Sequence, residues 1–456
     1  MAAGAAFGGV IRWHDCPSGA RGGYSAAVMR CGDFMPGDRI HGRRVRLRIT
    51  RLQARPEGPT RHPVIYVPGG PGDAGGQRAP ALRAWRRFQQ AAGWPRDLVI
   101  FDPRGTGMST PRPVCPRRPD ASGTGRLAAC FERLGAGTAD RLGAAAQVAD
   151  LHRLITTLAP GGAVIWAESY GALIARRLAA EHPGDVRLLI LDSPVLRPRP
   201  ERDRQAAALR RRRRQLRRAC ARTLSCRLAV PSLRATIRGL IAARARHPVT
   251  IAVAQPPRSA RSVTIDGRTL GALLLLSAYG RPDDARVVRM LRRAVENPGA
   301  LAALAGPLLA LRQRRSRTAP VYWSTRCQFA ARPTDRGGRT AATACRQWPV
   351  PRLAPVSHAG DLPTLLVAGT RDVLTPAAAA ARAALAHPGW QLLPVLGAGH
   401  GVIRGNACAQ RVAARFIASQ GAWLGAVSCA GSANGGSRTP RRVNERGPND
   451  AEPLRR

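Results

Sequence analysis

The chain has 456 residues, and 44% of them are hydrophobic, so it is long enough for more than one domain and apolar enough to build a core. Its 73 basic residues outnumber its 27 acidic ones and give a formal charge of +46. No apolar run approaches the roughly 18–20 residues that cross a bilayer, so we expect a soluble chain without a membrane-spanning helix.

The positive charge has two interpretations, a surface for nucleic acid or a bias of the genome towards arginine codons. Every one of the basic residues is arginine, and these arginines are spread along the chain. Only 4% of residues are aromatic, which leaves few platforms on which bases could stack. We therefore expect no nucleic-acid partner, and we interpret the run Arg210–Arg218 as a solvated helix face.

The ten cysteines indicate in which cellular compartment the protein is expected. None lies in a C-x-x-C pair, so we expect no zinc site. They follow one another as five neighbouring pairs, and the simplest disulfide pattern is sequential: Cys16–Cys31, Cys115–Cys130, Cys220–Cys226, Cys327–Cys345 and Cys408–Cys429. Five bridges would indicate a periplasmic or extracellular protein. The segment Met1–Val10 lacks the charged start and long apolar stretch of a signal peptide, so reduced thiols in a cytoplasmic protein stay open as the alternative.

Strand and helix patterns alternate over most of the chain. Val45, Leu47 and Ile49 alternate with arginines, as in a strand with one buried face. Short continuous apolar runs are typical of strands buried on both faces of a parallel sheet, and they occur at Val64–Val67, Leu98–Phe101, Ala163–Trp166, Leu188–Leu191, Leu365–Val367 and Leu392–Val395. Helical patterns lie among them at Ala145–Leu158, Ala172–Ala180, Ala377–Ala386 and Ala409–Ile417. This alternation predicts a doubly wound α/β sheet.

The alternation stops between residues 197 and 355, where the sequence is rich in arginine. The patterns there predict helices at Ala206–Arg218, Leu233–Arg244 and Arg286–Val295 and a short strand at Val263–Ile265. We therefore expect a first part of the core at residues 1–196, a helical cap insertion at 197–355 and a second part of the core at 356–430. The polar residues 431–456 predict a disordered tail.

A candidate nucleophile lies where the strand Ala163–Trp166 leads into a helix. The five residues there are Ala167-Glu168-Ser169-Tyr170-Gly171. A nucleophile elbow places a serine at such a turn, with small residues on either side to avoid clashes. The usual pattern is G-x-S-x-G, and Ala167 is the smallest substitute for its first glycine. The alternative is a serine in an ordinary strand-to-helix loop.

A serine needs a base, and the base needs a carboxylate that orients it. In this fold the acid and then the histidine follow the serine along the chain. Asp372 comes just after the strand Leu365–Val367, and His400 lies in a glycine-rich loop after the strand Leu392–Val395. We expect Ser169, Asp372 and His400 to form the triad, with Asp192 as the alternative acid. His358 and His387 are expected at the surface.

The negative oxygen of the reaction intermediate needs amide donors. The strand Val64–Val67 ends in Pro68-Gly69-Gly70-Pro71-Gly72, where glycines allow a close approach to the backbone. We expect the amides of Gly70 and Tyr170 to be the donors; a plain turn is the alternative for this loop. A second loop, Asp102–Ser109, is interpreted as a support in which Asp102 and Arg104 pair.

These pieces together resemble the proline iminopeptidase and tripeptidyl aminopeptidase family of serine peptidases. The matching motifs are the Pro68–Gly72 loop, the Asp102–Ser109 loop and the elbow at Ser169, followed by the acid and the histidine. The pairs Cys327–Cys345 and Cys408–Cys429 resemble those of secreted tripeptidyl-type members. The resemblance implies an α/β-hydrolase fold and removal of residues from a free peptide N-terminus, with cap carboxylates binding the amine. The acids in the predicted cap are Glu201, Asp203, Asp266, Asp283, Asp284, Glu296 and Asp335.

The first functional hypothesis is therefore an exported serine aminopeptidase that works through an acyl-enzyme. The second is an esterase or amidase for small acyl compounds on the same scaffold. The third is a basic binding protein without catalysis, for which the charge is the support. The first two need no cofactor and no metal, and their partners are a peptide or a small acyl substrate.

Overall fold

The computed structural model describes residues 9–20, 28–55, 58–116, 123–198, 201–230, 232–255, 258–330, 344–356 and 362–430. Within these ranges lie fourteen strands: β1 (Val10–His14), β2 (Met29–Met35), β3 (Arg39–Ile40), β4 (Arg43–Arg44), β5 (Leu47–Leu52), β6 (Val64–Val67), β7 (Leu98–Phe101), β8 (Ala163–Glu168), β9 (Val186–Asp192), β10 (Val249–Gln255), β11 (Arg258–Ile265), β12 (Thr364–Gly369), β13 (Trp390–Leu396) and β14 (Cys429–Ala430).

The described residues also form fourteen α-helices. They are α1 (Ala79–Ala92), α2 (Gly123–Leu134), α3 (Ala136–Arg141), α4 (Ala144–Leu158), α5 (Gly171–Glu181), α6 (Glu201–Ala221), α7 (Leu224–Ala229), α8 (Leu233–Arg246), α9 (Gly267–Leu276), α10 (Asp284–Glu296), α11 (Ala302–Arg317), α12 (Ala319–Gln328), α13 (Ala377–Leu385) and α14 (Ala407–Ala418).

Ten strands form one mixed sheet in the order β1-β2-β5-β7-β6-β8-β9-β12-β13-β14. The strands from β7 to β14 in this order are all parallel to their neighbours, while β1, β2 and β5 add an antiparallel edge. The order of the central strands is not the order along the chain, so helical crossovers cover both faces. The carboxyl ends of the parallel strands therefore meet along one edge, where such sheets carry their sites.

Side chains of the central strands alternate between two apolar layers. Tyr66 and Trp166 face a layer that contains Trp85 of α1 and Phe416 of α14. Their neighbours in the strands face a second layer, with residues of α4 and α5. Because both faces are covered, these strands appear in the sequence as continuous apolar runs. All six predicted parallel strands are confirmed. β8 extends two residues further at its end, and β9, β12 and β13 extend one or two residues further at both ends.

The antiparallel strand predicted around Val45 differs in its start. Val45 is buried, but the strand β5 begins at Leu47 and runs to Leu52. The four strands before it in the chain, β1 to β4, were not predicted. The strand β2 contains a glycine and an aspartate, and it is defined by its pairing with β5 rather than by an apolar pattern.

Between β9 and β12 the described chain contains seven helices, α6 to α12, and the hairpin of β10 and β11. Leu240, Leu273 and Leu291 belong to an apolar cluster separate from the two layers of the sheet. The sequence prediction named three of these helices and part of the hairpin. The predicted division of the chain at residues 197 and 355 stays a prediction, and the predicted tail 431–456 lies outside the described residues.

The arginine run predicted as a solvated face lies in α6, and that prediction is wrong for Arg212. This side chain is buried and donates to Asp284 of α10 at 2.7 Å. Burial of a guanidinium requires such a partner. One side of the basic helix thus helps to hold α6 against α10.

The five predicted disulfides are confirmed: Cys16–Cys31, Cys115–Cys130, Cys220–Cys226, Cys327–Cys345 and Cys408–Cys429. Five bridges point towards an oxidising location, periplasmic or extracellular. Within the described ranges, no helix combines the length and the apolar character needed to cross a membrane.

Candidate active site

Ser169 lies in a sharp turn at the carboxyl end of β8, immediately before α5. Its φ of +54° is a left-handed conformation that a side chain other than glycine rarely adopts. Two hydrogen bonds hold it there: its amide donates to the Asp192 carbonyl at 2.8 Å, and its carbonyl accepts from the Val195 amide at 2.9 Å. The small neighbour Gly171 is needed, because a Cβ there would lie 2.7 Å from the carbonyl oxygens of Val67 and Pro68.

The structure brings together the three residues predicted from their order in the sequence. The His400 Nε2 lies 2.9 Å from the Ser169 Oγ, and the His400 Nδ1 lies 2.7 Å from the Asp372 Oδ2. Asp372 and His400 follow β12 and β13, so the same edge of the sheet carries all three. Asp372 and His400 are buried and Ser169 is half-buried.

The charge of Asp372 is stabilised in place. Burial alone would raise its pKa, but the His400 ring and hydrogen bonds from His400 and Thr375 lower it below the usual value. Burial would lower the pKa of His400, yet the carboxylate of Asp372, with further contributions from Glu168 and Asp192, raises it above the ordinary histidine value. The pair is therefore arranged to stabilise an imidazolium once a proton arrives.

Thr375 is a member of the site that the sequence interpretation missed. Its hydroxyl donates to the Asp372 Oδ2 at 2.6 Å. The other oxygen of Asp372 accepts from the amides of Leu374 and Thr375 at 2.8 and 2.9 Å. These bonds close an Asx turn on the Asp372 side chain. The feature of the sequence that could have indicated it is a threonine three residues after the acid.

The predicted oxyanion loop lies against the nucleophile turn. A Cβ on Gly69 would be 3.0 Å from the Ser169 Cβ and 3.5 Å from the Tyr170 amide nitrogen. The next residue, Gly70, has a φ of +109°, which only glycine adopts easily. Gly69 thus lets the oxyanion loop approach the turn at Ser169 closely. Of the two predicted donors, Gly70 lies in this loop and Tyr170 lies in the turn.

The second loop supports the first, but the predicted pair of Asp102 and Arg104 is wrong. Asp102 accepts from the amides of Gly76 and Met108, at 2.8 and 2.7 Å, so its carboxylate ties its own loop to the chain after the oxyanion loop. Arg104 instead forms a two-pronged contact with Asp150 of α4, at 2.6 and 2.7 Å. In this tight loop the two side chains point to different partners.

Asp192, the alternative acid, holds the loop that carries His400. It accepts from the amides of Val402 and Ile403, each at 2.9 Å. Burial and the nearby Glu168 raise its pKa to about 7. Glu168 in turn accepts from the hydroxyl of Tyr66 at 2.9 Å. The carboxylate in contact with the His400 ring is that of Asp372.

Residues 278–280, just after α9, also contact the loop that carries His400. Gly399 and His400 donate through their amides to Gly280 and Ala278, at 2.7 and 3.1 Å. The Tyr279 ring is 5.0 Å from the His400 ring, centre to centre. The region between β9 and β12 therefore forms part of the wall around the base.

The opposite wall is formed by the junction of α11 and α12. A Cβ on Gly72 of the oxyanion loop would lie 3.2 Å from the Thr318 Oγ1 and 3.4 Å from the Tyr322 amide. One turn before Thr318 come Arg314 and Arg315, both exposed, and the Arg315 guanidinium lies 5.3 Å from the centre of the Tyr322 ring. Arginines thus line this wall.

The carboxylate beside this wall is Asp73, directly after the oxyanion loop. A Cβ on Gly70 would be 3.2 Å from the Asp73 Cγ. Burial raises the pKa of Asp73, although the charges of Arg314 and Arg315 oppose the change.

The acids between β9 and β12 have other tasks. Asp266 and Asp283 accept from the first amides of α9 and α10, and Asp284 pairs with Arg212 and with Arg371. Glu296 is exposed at the end of α10. Asp335 and His358 lie outside the described residues, and so do the side chains of Glu201 and Asp203.

Two family models match this chain. One, described as the alpha/beta hydrolase fold, matches residues 62–237, and one described as TAP-like protein matches residues 335–429.

Two curated proteins are similar over part of the chain. The putative hydrolase YuaR of Escherichia coli K12 is 28% identical over 167 residues, which are 33% of this chain and 31% of that protein. A probable proline iminopeptidase of Streptomyces coelicolor is 31% identical over 129 residues, which are 28% of this chain and 32% of that protein. The chain thus spans about a third of the length of either relative.

Solved structures with a similar course of the chain include two enzymes. The proline iminopeptidase of Mycobacterium smegmatis has a TM-score of 0.41 at 16% identity, covering 82% of this chain and 95% of its own. The haloalkane dehalogenase DatA of Agrobacterium tumefaciens C58 has a TM-score of 0.37 at 14% identity, covering 87% and 98%. At these scores the assignment rests on the strand order and the family matches. By that evidence the chain has the α/β-hydrolase fold, and its matches support a relationship to the proline iminopeptidases and TAP-like proteins.

Proposed function

We propose that this protein is a serine hydrolase in which Ser169, His400 and Asp372 are the catalytic residues. The observation that carries the proposal is the continuous chain of contacts from the Ser169 Oγ through the His400 ring to Asp372, at 2.9 and 2.7 Å. A serine hydroxyl becomes a nucleophile when a base takes its proton, and the carboxylate keeps the base in the required tautomer.

The reaction proceeds in two halves. The Ser169 Oγ attacks the substrate carbonyl as His400 takes the hydroxyl proton, and the amides of Gly70 and Tyr170 stabilise the negative oxygen. The leaving group departs with the proton from His400 and leaves an acyl group on Ser169. Water then attacks the acyl group, again with His400 as the base, and releases the acid.

The substrate we propose is a peptide with a free N-terminus, from which an exported enzyme releases residues or short peptides. Support comes from the TAP-like match at residues 335–429 and from the similarity to a proline iminopeptidase. The five disulfides support export.

Asp73 is the residue that we assign to the substrate ammonium group. It adjoins the oxyanion loop, and burial leaves its carboxylate poorly solvated, as its raised pKa indicates. A substrate ammonium would compensate that charge. Asp73 belongs to the core, whereas the resemblance implied an acid of the cap for this role.

The second candidate function is an esterase or amidase for small acyl substrates. The observation in its favour is the wall formed by Arg314 and Arg315, because these side chains repel an ammonium group and attract a negatively charged substrate. The two candidates share the chemistry at Ser169 and differ only in the substrate.

A matched set of substrates separates the two functions. Aminoacyl and tripeptidyl anilides, each with a free or an acetylated amine, are compared with nitrophenyl esters of the same acyl groups. An aminopeptidase hydrolyses the anilides with a free amine and prefers them to the acetylated ones. Hydrolysis of esters alone, with no turnover of any anilide, would overturn the peptidase proposal and leave the esterase.

Asp73→Asn tests the assignment of the ammonium site. We expect the preference for free over acetylated amines to fall about tenfold, since a charged hydrogen-bonding partner is lost. The control Glu296→Gln removes the same charge at an exposed position and should keep the preference. An unchanged preference in Asp73→Asn would rule out Asp73 as the ammonium partner.

A further inference from the structure

A cluster of three metal-ligating side chains lies at the other edge of the sheet. His152 comes from α4, His182 directly follows α5, and Asp185 belongs to a short 3₁₀ turn just before β9. Each offers one ligand atom, and these atoms lie within 4.8 Å of one another. The helix α5 starts beside Ser169 and has 11 residues, so at 1.5 Å per residue the cluster lies about 16 Å along its axis from the nucleophile.

The backbone fixes two of the three ligands relative to each other. His182 and Asp185 are separated only by Pro183 and Gly184, and the Asp185 amide donates to the His182 carbonyl at 3.0 Å. Proline restricts this turn further. The backbone that carries His182 and Asp185 is thus already in a fixed turn, which keeps the two ligands close together.

The third ligand is already in contact with the other two. The His152 Nδ1 is 2.7 Å from the Asp185 Oδ2, and the rings of His152 and His182 stack with 3.8 Å between their centres and 11° between their planes. Asp185 is buried, while both histidines are half-buried.

We propose that His152, His182 and Asp185 bind a divalent transition-metal ion, with Zn²⁺ as the best match. Two imidazole nitrogens and one carboxylate oxygen suit Zn²⁺, whereas Mg²⁺ and Ca²⁺ prefer oxygen ligands throughout. All ten cysteines are in disulfides, so thiolates do not compete for the ion. The fourth position would hold water. The ion would link α4 to the turn between α5 and β9, and this role is independent of the proposed hydrolysis.

The sequence alone does not reveal this cluster, because His152 is far along the chain from the other two members. His152 lies 33 positions before Asp185, and a spacing of this length forms no local metal-binding motif. The fold brings the two elements together.

Zinc binding by the intact chain tests the proposal. The protein is treated with a chelator, dialysed against ZnCl₂ or MgCl₂, and examined by elemental analysis and thermal unfolding. We expect one zinc ion per chain, no comparable binding of magnesium and a rise in Tm with zinc. His182→Gln should weaken zinc binding about tenfold or more and abolish the rise in Tm. The exposed His247→Gln lies outside the cluster and should behave like the wild type.

Two results would overturn the proposal. One is a wild-type protein that takes up no zinc. The other is zinc binding in His182→Gln that equals binding in His247→Gln, which would assign the ion to another site. His182→Gln leaves the contact between His152 and Asp185 in place, so it should fold. The absorption spectrum of the Co²⁺-loaded chain is a second measurement: tetrahedral bands that disappear in His182→Gln support the cluster, and bands that persist contradict it.

Discussion

The core and the region between β9 and β12 use their charged residues differently. In the core, buried carboxylates hold the loops of the site. Asp372 contacts His400, and Asp192 accepts from the Val402 amide in the same loop. Asp102 ties its own loop to the chain after the oxyanion loop. Between β9 and β12, Asp266 and Asp283 begin helices, and Asp284 is occupied by arginines. Arg314 and Arg315 are left at the mouth of the site.

This difference separates chemistry from selectivity. In the proposed reaction the core supplies the groups for acyl transfer, whereas the arginine wall can only attract or repel the substrate. Substitutions at Ser169, His400, Asp372 or the oxyanion loop should therefore slow every substrate alike. Substitutions in the wall should change the ranking of substrates and leave the chemistry intact.

Asp372→Asn should have the largest effect. An amide cannot hold His400 in the tautomer that accepts a proton from Ser169, so we expect kcat/KM to fall about 10⁴-fold on both anilides and esters. The control is Asp283→Asn, in which asparagine still caps α10 and activity should be unchanged. Near wild-type activity in Asp372→Asn would contradict the assigned triad.

Gly70→Ala should have the next largest effect. A Cβ at this residue would lie 2.8 Å from the Asp73 amide nitrogen and 3.0 Å from that of Gly72, so the loop must move. Displacing one oxyanion donor is expected to lower kcat about 10²–10³-fold. In Gly42→Ala the φ is also positive, at +72°, but no atom lies within 4 Å of the new Cβ, so activity should be kept. Equal activity in the two variants would exclude Gly70 as a donor.

The pH profile should show a smaller, graded effect. His400 must be neutral to accept the Ser169 proton, so kcat/KM should fall about tenfold for each pH unit below the pKa of His400. Because Asp372 raises this pKa, the midpoint of the acid limb should lie above the ordinary histidine value of 6.5. Glu168→Gln removes a charge that contributes to the increase and should move the midpoint down. A midpoint below 6.5 in the wild type would contradict the arrangement of charges.

The smallest effect is expected in the arginine wall. The double variant Arg314→Ala with Arg315→Ala removes two charges that oppose an ammonium group, so KM for substrates with a free amine should fall roughly 2–5-fold. Arg317→Ala, an exposed position in the same helix, should change KM less. If the double variant instead raises KM for negatively charged esters or amides, the arginines bind such substrates, and the esterase or amidase is favoured.

The central sheet and the contacts among Ser169, Asp372 and His400 could be predicted because burial and chain order leave direct marks on the sequence. Strands covered on both faces appear as continuous apolar runs. A serine at a strand-to-helix turn, followed by an acid and a histidine after later strands, is the order typical of this fold. The sequential disulfides could be predicted because the cysteines occur along the chain as neighbouring pairs.

The partners of charged side chains could not be predicted in this way. Arg104 contacts Asp150 rather than Asp102, and Arg212 is buried against Asp284, because these pairings depend on how helices pack against loops far away in the sequence. Thr375 also joins the site through a turn whose geometry the sequence only hints at. The direction in which Arg314 and Arg315 face depends likewise on the packing of α11 and α12 against the oxyanion loop.

The most direct test of the account is the reaction of the intact protein with a fluorophosphonate, followed by mass spectrometry of its peptides. The account predicts one covalent adduct on Ser169, and no adduct in Ser169→Ala, whose Tm should be close to that of the wild type. A folded wild-type protein that takes up no label, or that carries the label on a different serine, would contradict the assignment of Ser169 as the nucleophile.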